Sequence, residues 1–543
     1  MKTIQTDVLV IGSGLAGIVS ATCAAESGAN VTLVTESHIF SGSTFGNANF
    51  GFGIIGPENE NDVDNLVEQI CTVGRGMAQE PLVRTLVSNV VPTVMDLKRF
   101  NIHFEEPKDN TKAEFIPCFD RKHRNFHLFN KKHTIERYDA AMTRLGVCRL
   151  PYTEILRLEK RSGMICGAFA LSRGELVYIS CKAVILASGG LSSLYRYRYG
   201  NKNISVMGQY LALSAGARLT NIEFMQFIPG YIDPFPGTIT NERTYKYCQF
   251  KDPVTGQILS HGTPEEWHKA LEIRSTHGPF TTELPSRALD ILIFKTQMAT
   301  GQGVTLKYND VLKTYKSEFM DHYFIWLKET LGLTMDDDIL IGTYYHASNG
   351  GICINERAET CVPGLFACGE ATSGMHGADR VGGMSMANCL TFGTIAGRNA
   401  AAFAADVSER RPAPEDTPEL FTFAGAEDMI RQIQDLTFRE LSICRTGRGL
   451  CHVRDSIHVM QQRLEAEKKP VSRLTEENYP DVVLAKRLES MLPVVDTLAR
   501  AMELRKESRG SHYREDYPAH APDLGRRLTE TMDGNKIFVE FEK

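Results

Sequence analysis

The chain carries 13 cysteines in 543 residues, yet no two stand in a C-x-x-C pair. Iron–sulfur clusters need grouped thiolates, so this chain alone is not expected to hold one. An odd, scattered set of cysteines suits reduced thiols in a cytoplasm. No run of about 18 apolar residues occurs, which predicts no membrane-spanning helix. A β-branched run begins within a few residues of the first methionine, which leaves no expected signal peptide. Neither sign of charge dominates: the net charge is −6 and the pI is near 6.2. That balance argues against a nucleic-acid partner. No internal repeat is visible.

What is present is material for a large core, with 42% hydrophobic residues and a length that implies two to four domains. Residues 6–37, "TDVLVIGSGLAGIVSATCAAESGANVTLVTES", read as strand, glycine turn, helix and strand. "DVLVIG" has the β-branched character of a buried parallel strand. Gly12, Gly14 and Gly17 then complete G-x-G-x-x-G, with Ser13, Leu15 and Ala16 between them. The first glycine permits the turn, the second a close approach to pyrophosphate, and the third tight packing of helix on strand. The helix N-terminus adds free N–H groups and a positive dipole end. This predicts a dinucleotide site. Glu36 stands where an acid holds the adenosine ribose, and the hydroxyl of Thr35 is the alternative. An acid at this place favours FAD or NAD over NADP.

Residues 41–56, "SGSTFGNANFGFGIIG", form a glycine-rich loop suited to close approach of a flat ligand. Residues 60–105 have helical apolar spacing. "CKAVILASGG", 181–190, is a second buried strand ending in glycines, so the sheet is revisited. A helix with a glycine stop follows in "GQYLALSAGARL". From about 226 to 335 aromatic, proline and charged residues increase, which reads as an inserted domain. Residues 350–374 are expected to form a hairpin and then a strand, "GLFACGE", before a long apolar helix. The linker "ERRPAPEDTPE" leads to amphipathic helices over 418–510, and "KIFVEFE" predicts one strand in the tail.

Seven motifs occur in a fixed order: "GSGLAG", "GSTFGNANFG", "EFMQFIPG", "ELPSRALDI", "HASNGGICIN", "VPGLFACGEATSGMHGADRVGGMS" and "KESRGSHYREDYP". Together they resemble the flavoprotein subunits of succinate dehydrogenase and fumarate reductase, and L-aspartate oxidase, to about residue 520. The resemblance implies an α/β fold: a Rossmann-like FAD-binding domain over 1–225 and 338–415, an α+β capping domain over 226–337, and a C-terminal helical domain and tail over 416–543. It implies FAD as the carrier of the redox chemistry. Carried over by motif, Gly12 to Gly17, Thr35, Glu36, Ser43, Thr44, Ser188, Gly189, Glu370, Ser385 and Met386 are expected to line the cofactor. One branch attaches FAD through a histidine before the loop threonine; Ser43 holds that place here, so FAD is expected to be non-covalent. The family's acid in "TGDG" becomes Met207.

For a hydride attack on a double bond beside a carboxylate, a site needs cations at the carboxylate and a positioned acid. The resemblance makes Arg287 the proton donor and Glu242 its relay. It makes Arg380 the fork for a substrate carboxylate, with His346 and Thr240 as further contacts; His376 is expected to be structural or next to FAD. The family's "QFHPT" reads "QFIPG", so Ile228 replaces the histidine that grips a second carboxylate. The expectation is a reductase or dehydrogenase at a Cα–Cβ bond beside one carboxylate, with a less polar far end. An L-aspartate oxidase-like amino-acid oxidase and an electron-transfer subunit of a larger complex are the alternatives. An NAD-dependent dehydrogenase is a weaker one. The implied partners are a small carboxylic acid and an iron–sulfur or other electron-transfer subunit. The implied location is the cytoplasm, with membrane association through a partner.

Overall fold

The computed structural model describes residues 1–46, 53–103, 119–120, 122, 124–128, 130–200, 205–314, 318–408 and 412–542. Residues 47–52 of the glycine-rich loop and 409–411 of the linker lie outside the described residues.

The chain is α/β. Val8–Ile11 (β1) leads through the glycine turn into Leu15–Glu26 (α1) and on to Val31–Thr35 (β2). Cys148–Pro151 (β3) and Ala183–Leu186 (β4) join the same sheet, and Met207–Ser214 (α2) follows. A second sheet, built from Lys2–Gln5, Thr153–Arg161, Met164–Ser172 and Glu175–Ser180, stands beside it.

The stretch of altered composition contributes most of an antiparallel sheet. Its strands are Met225–Asp233 (β5), Cys248–Lys251 (β6), Val304–Tyr308 (β7) and Ile339–Ser348 (β8), in the spatial order β5–β8–β7–β6. Arg287–Thr300 (α3) packs against β8. This unit has a core of its own, with Tyr231, Phe250, Ile293, Leu306, Tyr323 and Ile341 buried together.

Leu365–Ala367 (β9) then returns to the first sheet, which reads β9–β4–β1–β2–β3 with every adjacent pair parallel. Val8 to Val10 and Ala183 to Leu186 are fully buried, which explains continuous apolar runs in place of alternation. Met384–Asp406 (α4) lies along α1. Ala426–Glu440 (α5), Gly447–Glu467 (α6) and Tyr479–Leu504 (α7) form the C-terminal helical part, and their apolar faces merge with the core of the first sheet.

Two local readings differ from expectation. Within residues 350–374 the expected turn is present, with Glu359 bridged antiparallel to Phe366, but Gly351–Ile352 pairs with Leu219–Thr220, far away in sequence. The tail strand exists as Lys536–Phe541, but its partner Leu528–Asp533 carries no clear sequence pattern, being polar at alternate and adjacent positions. Among the described residues no helix is long and apolar enough to cross a membrane.

Candidate active site

The glycine turn is built as its spacing implies. Gly12 has φ +109°, and a Cβ there would run into the carbonyl of Ala187. A Cβ on Gly17 would strike the carbonyl of Gly12, so Gly17 sets how close α1 comes to the turn. Gly14 caps α1 without any side-chain cap, and the first turn of the helix holds no acid. The leading N–H groups of α1 are thus left for an external anion.

These groups open into a cleft. It is lined by Gly12, Ser13, Gly14, Leu15, Ala16, Thr35, Glu36, Ser43, Thr44, Ser188, Gly189 and Glu370. Three expected residues do not line it. Gly17 faces the strand turn, while Ser385 and Met386 stand in the first turn of α4, where Met386 packs into the core. Met207, the apolar substitute for an acid, begins α2 and does line the cleft.

At one end of the cleft the two candidates for the ribose are both present. Thr35 Oγ1 lies 3.4 Å from Ser41 Oγ. Glu36 Oε1 accepts a hydrogen bond from Ser205 Oγ, and Glu36 Oε2 lies 3.8 Å from a terminal nitrogen of Arg487. Arg487 comes from α7 and donates through Nε to Glu154 Oε1 at 3.0 Å. Burial, and then the charge of Glu154, push the Glu36 carboxyl up to about 8, with Arg487 opposing them. No sequence signal points to Ser205, Glu154 or Arg487, because no spacing links residues so far apart.

The second group forms where the inserted sheet meets the loop after β9. Arg380 is buried; its Nε donates to Gln226 Oε1 at 3.1 Å and a terminal nitrogen to His346 Nε2 at 3.2 Å. Since the guanidinium can only donate, His346 Nε2 accepts and the ring proton is assigned to Nδ1. His346 Nδ1 is buried and has no hydrogen-bond partner among the described residues. Burial and the charge of Arg380 lower the His346 imidazole to about 3, so it is neutral at ordinary pH. His376 is lowered to about 3 by the same two causes.

The position of His346 has a structural origin. In the register of β5 on β8, Gln226 faces Ala347 and Phe227 faces Tyr345. His346 is therefore the extra residue of a β-bulge, a device that re-aims a side chain. Gln226, missed in the sequence reading, shares a motif with Ile228; period-2 alternation along β5 was the available signal.

Ile228 is buried against Tyr199 and Tyr344, with Ile232, Ile239 and Tyr197 around them. Tyr199 and His346 meet edge to face with ring centroids 6.0 Å apart. An apolar and aromatic wall thus adjoins the Arg380–His346 pair. Thr240 is buried beside the hydroxyl of Tyr245. Glu242 begins a 3-10 turn, and its charge is felt at Arg274 and Tyr245. Arg274 itself is locked to Asp290 through two bonds of 2.8 and 3.0 Å. Arg287, the first residue of α3, donates to the carbonyl of Thr282 at 3.1 Å and faces Tyr513. The structure thus brings Arg380, His346 and Gln226 into direct contact, with Arg287 and Glu242 on neighbouring elements.

The family profile for an FAD binding domain matches residues 7–242 and 301–386, and that for a fumarate reductase flavoprotein C-terminal domain matches 430–534. The chain belongs to the fumarate reductase, succinate dehydrogenase and L-aspartate oxidase flavoprotein family. Among similar proteins is a fumarate reductase (CoM/CoB) subunit of Methanothermobacter marburgensis, 26% identical over 96% of each chain. The L-aspartate oxidase of Mycobacterium leprae is 27% identical over 99% of this chain and 97% of its own. The fold is shared with Mycobacterium smegmatis Sdh1 in complex with UQ1, at a TM-score of 0.81 and 22% identity, covering 100% and 95% of the two chains.

As a member of this flavoprotein family the chain is an FAD-dependent oxidoreductase. The residues present fit the cofactor. The uncapped N-terminus of α1 and the bare backbone at Gly12 and Gly14 suit a pyrophosphate. Among the described residues, buried Glu36 Oε2 and Ser188 Oγ have no hydrogen-bond partner, as groups awaiting a polar ligand do.

Proposed function

We propose that the protein is an FAD-dependent reductase or dehydrogenase acting at a Cα–Cβ bond beside a single carboxylate. In this reading FAD is held without a covalent link, since Ser43 occupies the lining position that an attaching histidine takes in the other branch. When bound, FAD supplies the hydride equivalent. The residues of this chain then supply binding, charge and a proton. Arg380 meets the carboxylate, and neutral His346 offers its unpartnered Nδ1–H to the same group. As charge gathers on that carboxylate during hydride addition, a preformed guanidinium in a buried place stabilises it more than water does. Arg287 is the donor of the proton to the second carbon, with Glu242 and Thr240 serving its side of the site.

The observation that carries the substrate preference is the wall at Ile228. A second carboxylate placed there would face Ile228, Tyr199 and Tyr344, with Ile228 in place of the family's second histidine. Leaving such a charge without a partner costs about 2 to 4 kcal/mol. An apolar or aromatic end fits this surface instead. The test is anaerobic re-oxidation of the reduced flavin by fumarate and by a series of monocarboxylic 2-enoates. Faster re-oxidation by monocarboxylates is expected; a strong preference for fumarate overturns the reading.

The likeness to L-aspartate oxidase supports a second reading, in which oxygen is the electron acceptor and an amino acid the donor. Peroxide formed with aspartate separates the two, and Ile228 weighs against this one. The likeness to a protein named as one subunit of a fumarate reductase supports an electron-transfer partner, and gel filtration of the native protein tests for it. We propose a cytoplasmic location, with a membrane reached only through such a partner.

A further inference from the structure

Two carboxylates and one guanidinium meet at the adenosine end of the FAD cleft, and they come from three distant parts of the chain. Glu36 follows β2, Glu154 lies in the strand Thr153–Arg161, and Arg487 lies in α7, well inside the C-terminal helical part. Arg487 donates to Glu154 at 3.0 Å and approaches Glu36 at 3.8 Å. Ser205 supplies the hydroxyl on the remaining side of Glu36, and Tyr479 at the start of α7 faces the Glu154–Arg487 pair. Among the described residues neither Glu36 Oε2 nor Glu154 Oε2, both buried, has a hydrogen-bond partner.

We propose that Arg487 is a positioning residue of the cofactor site, so that FAD uptake depends on α7 and releases one proton from the Glu36–Glu154 pair. The argument is one of charge balance. One guanidinium compensates one carboxylate, so the second negative charge in this buried cluster stands uncompensated. Before FAD arrives the pair keeps a proton around neutral pH, because burial and mutual repulsion favour the protonated form. A ribose hydroxyl donates a stronger, charge-assisted bond to ionised Glu36 than to the protonated carboxyl. FAD therefore binds the deprotonated pair more tightly, and its affinity rises with pH until the pair is ionised. Arg487 makes this state reachable at neutral pH, which ties cofactor retention to the docking of a helix outside the FAD binding domain proper.

The test is flavin dissociation on dilution of the full-length holoprotein, followed by flavin fluorescence from pH 6.5 to 8.5. Calorimetry of FAD rebinding in phosphate and in Tris counts the protons released. Wild-type affinity is expected to rise more than tenfold over this range, the limit for one proton being tenfold per pH unit. Arg487→Met is expected to weaken FAD at least tenfold at pH 7.5 and to move the rise to higher pH, and Arg487→Lys to restore part of it. Glu154→Gln removes the like charge, keeps the shape, and is expected to move the rise to lower pH; it remains a test if Arg487→Met fails to fold. Wild-type affinity that is flat with pH, with no proton released, overturns the proposal. So does FAD binding by Arg487→Met, or a pH profile of Glu154→Gln, that matches wild type.

Discussion

At the scale of single residues, recognition in the proposed reading is divided between Arg380 and Ile228. Arg380→Lys keeps the charge and loses the planar fork that reaches Gln226 and His346 together. Such a change is expected to lower kcat/KM by about 100-fold, corresponding to roughly 2.7 kcal/mol of transition-state stabilisation. FAD content, read from the visible absorbance, is expected to stay at the wild-type level, because Arg380 does not line the FAD cleft. Ile228→His puts a donor into the apolar wall. Relative to a monocarboxylic enoate, fumarate is then expected to gain about tenfold or more in kcat/KM; no gain means that Ile228 does not face the substrate. His346 gives a pH statement. Its imidazole titrates near 3 in the folded protein and near 6.5 when unfolded. The activity profile is therefore expected to show no limb from His346 between pH 5 and 8. A limb near 6.5 that disappears in His346→Gln would contradict the assignment of a neutral ring. The same shift has a thermodynamic sign. The unfolded chain binds the proton that the folded one refuses, so stability is present above about pH 6.5 and declines as pH falls toward 3, by about 1.4 kcal/mol per pH unit for each such histidine. His376 adds to this slope, as does His277, which burial and Arg274 also lower to about 3.

At the scale of elements, the contact of α1 with α4 fixes the FAD cleft from behind. Gly397 on α4 has almost no room: a Cβ there would meet the carbonyl of Ser20, with Cys23 Cβ at 2.9 Å and Ala24 N at 3.1 Å. Two effects oppose each other in Gly397→Ala. Helix propensity favours alanine by about 1 kcal/mol, whereas overpacking costs about 1 to 3 kcal/mol and falls here on backbone atoms that cannot rotate away. The clash is expected to win. Net destabilisation of about 1 kcal/mol, seen as a lower denaturation midpoint and weaker FAD retention, is the outcome to check; a rise in midpoint means that the helices slide apart at little cost. The parts legible in the sequence are those whose signal is local. β1, the turn and α1 announce themselves through Gly12 and Gly17, each of which the geometry requires. β4 and β9 are short apolar runs ending at glycines. What stayed hidden depends on pairing at a distance. The bulge at His346 arises from the register of β8 on β5 and leaves no local mark. Gly351–Ile352 pairs across to Leu219–Thr220, so its own neighbourhood misleads. Arg487 meets Glu154 across 333 positions, a contact no motif spacing encodes. Arg380 and His346 entered through a family likeness, since a single arginine or histidine carries no signature of its own.

For the whole molecule, the C-terminal segment is the piece that joins the parts, and it does so with buried charge. Arg505, fully buried just beyond α7, donates to Glu223 at 2.6 Å and to Glu507 at 3.0 Å, and also to the carbonyls of Leu524 and Arg526. Glu507 in turn accepts from Arg509 at 2.8 Å, and Arg509 reaches the carbonyl of Arg75. A few residues on, Gly510 N donates to Glu283, which pairs with Arg75 at 3.3 Å. The segment thus touches the inserted unit, the turn at Arg75 and its own tail. Burying these ions gives little net stability compared with an apolar core, but removing one partner leaves the others without compensation. Arg505→Met is therefore expected to cost about 3 to 5 kcal/mol. The double change Arg505→Met with Glu223→Gln is expected to cost less than Arg505→Met alone, because it removes one of the charges left stranded. Thermal unfolding of the three proteins, monitored by circular dichroism and by flavin fluorescence, distinguishes this from simple loss of packing. If packing were the origin, the double change would be at least as harmful as the single one. Flavin release that precedes loss of helix in Arg505→Met would further locate the weak point between the C-terminal segment and the cleft, where the chain closes a loop of 282 positions on one arginine.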